Sequence, residues 1–334
     1  MKKIKVGIIG IGFFGEKHAE VFSSMPGVEL YAGSTRRQER LRQISERYHI
    51  TYSYSDYREM LANPEIEAVS VVTHVDSHVA PAVAALQANK HVFLEKPMAD
   101  SVMNCQTIMA AAEASSGKLM IGHICRFDPR AAIIKQNIVE GKIGRIVSMH
   151  ATRNLPANIG AEVLDKISPI FGDGIHDVDL MNWFTQSQIT QVYARGVRVR
   201  NFKNPDIGWA MYDFASGAVG VTETVWMLPE NTPFKIDCRF EIIGTEGAIY
   251  LNGGNSGLQI NDANGFHQPE AVFWPEIHGM RAGALRSELA YFIHCIRENL
   301  PITVITPQES LEAVRAVEAA ERSCREEQIV KLVR

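Results

Sequence analysis

Four times in its first third the chain passes from a short apolar run into a stretch with helical spacing, and no other feature narrows its folds so far. KIKVGIIG leads into a helix from about Phe14, and VELYAG into a helix through LRQISERYH. EAVSVV precedes VAPAVAALQA, and HVFLEK precedes a helix from Ser101. Strand and helix alternating at this spacing imply parallel strands joined by crossover helices, so the expected fold class is α/β, with an N-terminal Rossmann-type doubly wound sheet. Asp56 to Glu59 is placed as a capping box between the second and third units, and Ser77 as the N-cap of the following helix.

After about Ile124 the pattern changes. A helix near Ala131 to Glu140, a strand at IVSMHAT and an irregular stretch to Asp173 lead to a helix from about His176. From Gln191 onward the period is two: VYARGVRV, WAMYDF, AVGVTETVW, FKIDCRFEIIG and AIYLNG, separated by tight turns, read as an antiparallel meander. Two further helices follow, the last capped by Thr306, with Pro307 at its first position and Glu309 closing the box. The expected division is residues 1–123 for a nucleotide-binding domain and 124–334 for an α+β domain with a large, mainly antiparallel open sheet.

A formal charge of −4, with no basic stripe or polybasic run, points away from nucleic acid and membrane surfaces and toward a small-molecule partner. The leading lysines resemble those of a signal peptide, but Gly7, Gly10 and Gly12 interrupt the apolar run. Five scattered cysteines without CxxC spacing suggest neither a disulfide framework nor a zinc knuckle, and fit a reducing cytoplasm.

Gly10-Ile11-Gly12-Phe13-Phe14-Gly15 follows the first strand and opens the first helix. Gly10 permits the turn, Gly12 leaves room for a pyrophosphate and Gly15 lets helix meet strand, while Phe13 and Phe14 start the helix whose N-terminus faces the anion. About twenty residues on, where a ribose-binding acid is expected, the chain has Ser34, Thr35, Arg36 and Arg37 and no carboxylate. Hydroxyls and guanidinium groups there favour NADP, with NAD possible; the plainer alternative is the solvated first turn of the next helix.

HVFLEKPMAD sets an acid, an amine and a proline at the end of a buried strand, which aims Lys96 at a cleft. GIGFFG, THVDSH, LEKP, RFDP at Arg126 to Pro129 and GIHDVD at Gly174 to Asp179 together resemble the glucose-fructose oxidoreductase, inositol dehydrogenase and rhizopine-catabolism (Gfo/Idh/MocA) family across nearly the whole chain. The resemblance implies an NAD(P)-dependent dehydrogenase of sugars or cyclitols. It further implies Lys96 beside the nicotinamide and the carbinol, with Pro97 often following a cis peptide. Thr73, His74, His78 and Glu95 then fall near the cofactor, and Arg126 and Asn154 among the substrate contacts.

Oxidation of a secondary alcohol needs one group on its oxygen and another to take its proton, and Lys96 and His176 form the natural pair. Asp179, on the same helix face as His176, joins the substrate contacts. Many family members carry an aspartate four residues before this histidine. Here that position is Gly172, and Asp173 follows it. Either Asp173 compensates as a third catalytic residue, or the lysine lacks its acidic partner.

Three other readings stay open. One is a nucleotide-sugar dehydrogenase of the same family. Another is a non-catalytic NADP-responsive regulator. The third is a metal hydrolase using His74, Asp76 and His78 with Asp173, His176, Asp177 and Asp179. No metal is expected on the preferred reading. A homodimer or homotetramer is expected, because the meander offers a broad face that few helices remain to cover.

Overall fold

The computed structural model describes residues 2–253, 257–263 and 265–332 of the chain. They form two compact units, Met1–Phe127 with Phe273–Leu311, and Asp128–Val272 with Glu312–Arg334.

The first unit carries a parallel sheet of six strands: β1 (Ile4–Ile9), β2 (Val28–Ser34), β3 (Tyr52–Tyr54), β4 (Ala68–Val71), β5 (His91–Glu95) and β6 (Leu119–Gly122). Their order is β3-β2-β1-β4-β5-β6. β1, β4, β5 and β6 are buried almost throughout, as strands covered on both faces must be. The crossovers are α1 (Phe13–Ser23), α2 (Gln38–Tyr48), α3 (Tyr57–Leu61), α4 (Val79–Gln87) and α5 (Val102–Glu113). Asp56 caps α3 by accepting the Arg58 N–H, and Ser101 caps α5 through Asn104. Ser77 caps nothing: a 3-10 turn over Val75–Ser77 leads straight into α4, and the Ser77 hydroxyl turns to Asp76 instead.

The second unit begins with α6 (Pro129–Val139), capped by Asp128 with proline at its start. Then come β7 (Ile146–Asn154), α7 (Ala157–Ala161), α8 (Ile175–Thr185), β8 (Ile189–Val197), β9 (Ile207–Phe214), β10 (Val219–Val225), β11 (Asp237–Gly244) and β12 (Ala248–Asn252). Its sheet of seven strands, closed at one edge by Val330–Lys331, is mainly antiparallel as expected, but it is not a simple meander. β7 is inserted between β10 and β11 and runs parallel to β10. In that interior position both hydrogen-bonding edges of β7 are paired, one with β10 and the other with β11.

Along β9, buried Ala210, Tyr212 and Phe214 alternate with half-buried or exposed residues, so one sheet face is core and the other open. Phe184 of α8 packs edge-on against Phe240 of β11, with ring centroids 5.6 Å apart. The chain's last helices are α9 (Gly283–Arg297) and α10 (Pro307–Glu326). The expected capping box is present: the Glu309 carboxylate accepts the Thr306 N–H at 2.8 Å, and Thr306 Oγ1 accepts the Glu309 N–H at 3.2 Å.

Candidate active site

The sheet of the first unit ends its strands level, with Ile9 beside Val71 and Val71 beside Leu94. The Gly10 loop, Thr73 and Lys96 therefore leave from the carboxyl edge of three adjacent strands, where open α/β sheets bind their ligands.

Gly10 has φ +94°, and a Cβ there would lie 2.6 Å from the Val72 carbonyl. At Gly15 a Cβ would lie 2.0 Å from the Gly10 carbonyl, so neither glycine tolerates a side chain. Gly12 differs: its Cβ would meet only Arg37 Nη2, at 3.7 Å. The open backbone surface there, at the start of an eleven-residue helix, fits a pyrophosphate. Phe13 is exposed and Phe14 is set edge-on to Trp274 at 5.5 Å. At the end of β2, Ser34 is buried, Thr35 Oγ1 accepts the Arg37 N–H at 3.4 Å, and Arg37 donates to the Ile11 carbonyl at 3.1 Å. That last contact ties the end of β2 to the glycine loop and leaves Arg36 pointing into solvent.

Beyond β4, Thr73 donates its hydroxyl to the Ser77 carbonyl at 3.0 Å, and His74 is exposed. His78 is buried, with one ring nitrogen 2.9 Å from the Pro97 carbonyl and the other 3.1 Å from that of Thr73. It thus braces two loops of the carboxyl edge. Burial holds this imidazole below the ordinary histidine value, so it is a neutral brace and donates to one carbonyl at a time. Glu95 is buried, Lys96 is half-buried, and the Lys96–Pro97 peptide is cis. Arg126 lies inside the first unit, donating to the Val304 carbonyl at 2.7 Å and to Glu309 at 3.0 Å. It fastens the start of α10.

In the second unit, a π-helical turn over Ile170–Gly174 runs into α8 and carries Asp173 just ahead of His176. The wider winding spreads residues three apart further round the axis than an α-helix does. Asp173 accordingly faces Trp226, whose indole N–H it accepts at 2.9 Å. The indole lies over Gly172, where a Cβ would stand 3.0 Å from the ring, and Gly160 gives way to the same tryptophan. Trp226 packs with Leu155 and Leu164, so an aromatic ring borders the position where an acid would project.

His176 and Asp179 are both buried on α8. Between them in sequence, Asp177 receives a two-pronged contact from Arg153 on β7, the shortest at 2.7 Å, with both groups almost wholly buried. This pair pins the first turn of α8 to the sheet. Asn154 bridges strands, donating to Glu223 at 2.7 Å and accepting the Val225 N–H at 2.8 Å. Sequence reasoning missed Trp226 and Arg153 as neighbours of the site. Asp177 was named only among the ligands of the metal-hydrolase reading, and its partner Arg153 is set by tertiary folding. Among the described residues, no group of three or more His, Cys, Asp or Glu side chains is arranged to hold a metal ion. No helix among them is long and apolar enough to cross a membrane.

Comparison with known proteins adds two family matches: an oxidoreductase family with an NAD-binding Rossmann fold over residues 4–123, and the GFO/IDH/MocA C-terminal domain over 132–250. The chain is 26% identical to a myo-inositol 2-dehydrogenase of Thermotoga maritima over 336 residues, covering 98% of each chain. It is 33% identical to an inositol 2-dehydrogenase of Salmonella typhimurium over 256 residues, covering 74% of each. Its fold matches a solved structure of scyllo-inositol dehydrogenase from Lactobacillus casei with bound NAD(H) and scyllo-inositol, with a TM-score of 0.85 at 22% identity and 99% of each chain covered.

Proposed function

Because this chain belongs to the GFO/IDH/MocA oxidoreductase family, we propose that it oxidises, or forms by reduction, one secondary alcohol on the ring of an inositol-like cyclitol. It is an oxidoreductase acting on CH–OH groups, and its substrate class is a sugar or cyclitol. The observation that carries the narrower reading is the shared carboxyl edge of β1, β4 and β5, which sets the glycine loop and Lys96 on the same rim of one sheet.

A bound nicotinamide dinucleotide supplies the hydride acceptor or donor. The chain's own part is to hold and protonate. The backbone at Gly12 and the N-terminus of α1 would hold the pyrophosphate. Lys96, as an ammonium group, hydrogen-bonds the carbinol oxygen, and His176 takes the proton as the carbonyl forms. Asp173 is engaged by Trp226 and stands outside this relay, so the pair works without it. Asp179 lies on the same helix as His176, and we place it with the substrate hydroxyls.

NADP is favoured over NAD on this reading, because Arg36 is exposed beside Thr35 and no carboxylate stands between Gly33 and Arg37 to repel a 2′-phosphate. Arg37 contributes to the loop through Ile11, which leaves the phosphate to Arg36 and the hydroxyl of Thr35. The open face of the second sheet is assigned to pairing with another copy of the chain.

The test is an absorbance screen at 340 nm, the band of the reduced nicotinamide, over myo-inositol, scyllo-inositol and a panel of free and nucleotide-linked sugars, with each cofactor. Turnover of an inositol is the expected result, and turnover confined to nucleotide-linked sugars refutes it. Titrating both cofactors into the wild type and into a Thr35→Asp, Arg36→Ala variant tests the second part: the wild type should bind NADP about tenfold more tightly, and the variant should lose NADP selectively.

A further inference from the structure

One side of α10 is core and the other is charged. Val314, Ala316, Val317 and Ala320 are buried, while Arg315, Glu318, Arg322 and Arg325, spaced three or four residues apart, share the opposite side. With Lys331 of the edge strand they line a cavity of about 450 Å³ in the second unit, whose apolar lining is Ala319 and Leu332. That volume is in the range of small-molecule sites, which run from about 300 to 1,000 Å³. Four cations thus face one carboxylate, and Arg322 and Arg325, three apart on one helix, repel each other.

Structural reasons account for only part of this cluster. Cations suit the C-terminal end of a helix, which explains Arg325 in the last turn of α10, but neither Arg315 ten residues earlier nor Lys331 on the strand. The acids of the segment do not neutralise it. Glu321 accepts from Ser168, Glu326 accepts from Gln328, and Glu327 pairs with Arg195 at 3.2 Å. Arg325 is near enough to Glu321 to favour its ionised form, yet forms no ion pair with it. Glu312 lies 3.3 Å from Arg315 Nε, but that nitrogen is buried and makes no hydrogen bond. Among the described residues, no ion pair engages Arg322, Arg325 or Lys331.

The backbone that carries these cations is fixed. Ser323 Oγ accepts the Ala194 N–H at 2.9 Å and donates to the Gln328 carbonyl at 2.6 Å, tying the end of α10 to β8. On the other wall, Val330 pairs with Val192 of β8, and the Leu332 N–H donates to the Thr190 carbonyl at 2.9 Å. We propose that the cavity is a binding site for a phosphate group, with the guanidinium groups of Arg315, Arg322 and Arg325 on its oxygens and Lys331 adding charge from the facing strand. Ala319 and Leu332 offer contact to the carbon skeleton of a phosphorylated small molecule. The site belongs to the second unit and uses none of the residues of the glycine loop or the proton transfer.

The experiment follows the phosphorus magnetic resonance line of glucose 6-phosphate, and separately of inorganic phosphate, titrated with the full chain at constant ionic strength. Saturable binding with a Kd of about 1 mM or tighter is expected. Tighter binding of the ester names an organic phosphate as the ligand, equal or tighter binding of the ion names free phosphate, and either supports the site. Arg322→Gln with Arg325→Gln should weaken binding about tenfold or more. Lys142→Gln with Arg145→Gln removes the same charge from another exposed stretch of the unit and should leave the affinity within about twofold. All four of these side chains are exposed, so both variants should fold. The glycine loop is a second place for a phosphate, and Gly12→Asp, which sets a carboxylate there, should leave the signal intact. Three results overturn the proposal: no saturation by about 10 mM of either probe, equal weakening in the two charge-removing variants, or a signal lost in Gly12→Asp and kept in the arginine variant.

Discussion

Lys96 and Asp173 were both drawn from the sequence as candidate catalytic groups, yet their surroundings differ in kind. Lys96 stands at a strand end on the rim that the glycine loop shares, whereas Asp173 accepts the indole N–H of Trp226. Lys96→Ala and His176→Ala should each lower kcat about a hundredfold or more with cofactor affinity nearly kept, as loss of acid-base groups does. Asp173→Asn should change kcat by less than about threefold and instead lower stability by about 1 kcal/mol, through its weakened bond to the indole. Steady-state kinetics beside a urea melt separate these outcomes, and a hundredfold loss in Asp173→Asn would restore it to the relay. Restoring an acid at the preceding position should not help. Gly172→Asp drives a Cβ to 3.0 Å from the Trp226 ring and should cost about 1 to 3 kcal/mol. What the sequence concealed at this scale is consistent: Trp226 with Asp173, Arg153 with Asp177 and His18 with Glu95 are all partners far apart in the chain. Residue types and local spacing report on near neighbours only.

Strand and helix identities were legible where the pattern is local. The four βα repeats, the Asp56 and Ser101 caps and the Thr306 box follow from periodicity and cap chemistry within a few residues. The place of β7 between β10 and β11 did not, because strand order is decided by which edges remain unpaired once the whole sheet exists. The π-helical turn before α8 was likewise hidden, and with it the direction of Asp173. One consequence of this assembly is a pH dependence lodged in the loops of the carboxyl edge. His78 is held below its ordinary value of 6.5 by burial, so the folded chain binds fewer protons there than the unfolded one. Its contribution is complete above about pH 6.5 and declines as pH falls through that value toward the lower folded one. His91, also lowered by burial, acts in the same direction. Urea midpoints measured at pH 8 and pH 5.5 should therefore fall toward acid, and fall less steeply in His78→Gln. An equal slope in that variant would place the dependence elsewhere.

At the scale of the whole molecule, the exposed face of the second sheet has a composition that solvent alone does not explain. Outward positions on a half-buried sheet are expected to be polar, yet Trp209 and Met211 on β9 are 41% and 46% exposed, and Val197 on β8, Ile243 on β11 and Tyr250 on β12 are exposed with them. The register sets Trp209 opposite Arg195 and Glu223, and Met211 opposite Tyr193 and Val221, so charged side chains flank the tryptophan while an uncharged row runs through the methionine. The His150 ring lies nearly parallel to that of Trp209, with centroids 6.2 Å apart. A surface with an apolar centre and scattered charges can meet its own copy about a two-fold axis, where each patch faces itself and each charge can meet its opposite. Light scattering at micromolar concentration should return a dimer or tetramer mass. Trp209→Glu with Met211→Glu places like charges at the centre of such a contact and should shift the mass to the monomer while leaving the far-ultraviolet dichroism of the fold unchanged, because both side chains point away from the core. A wild type that scatters as a monomer, or a double variant that keeps the native assembly, would assign this face to something other than a second copy of the chain.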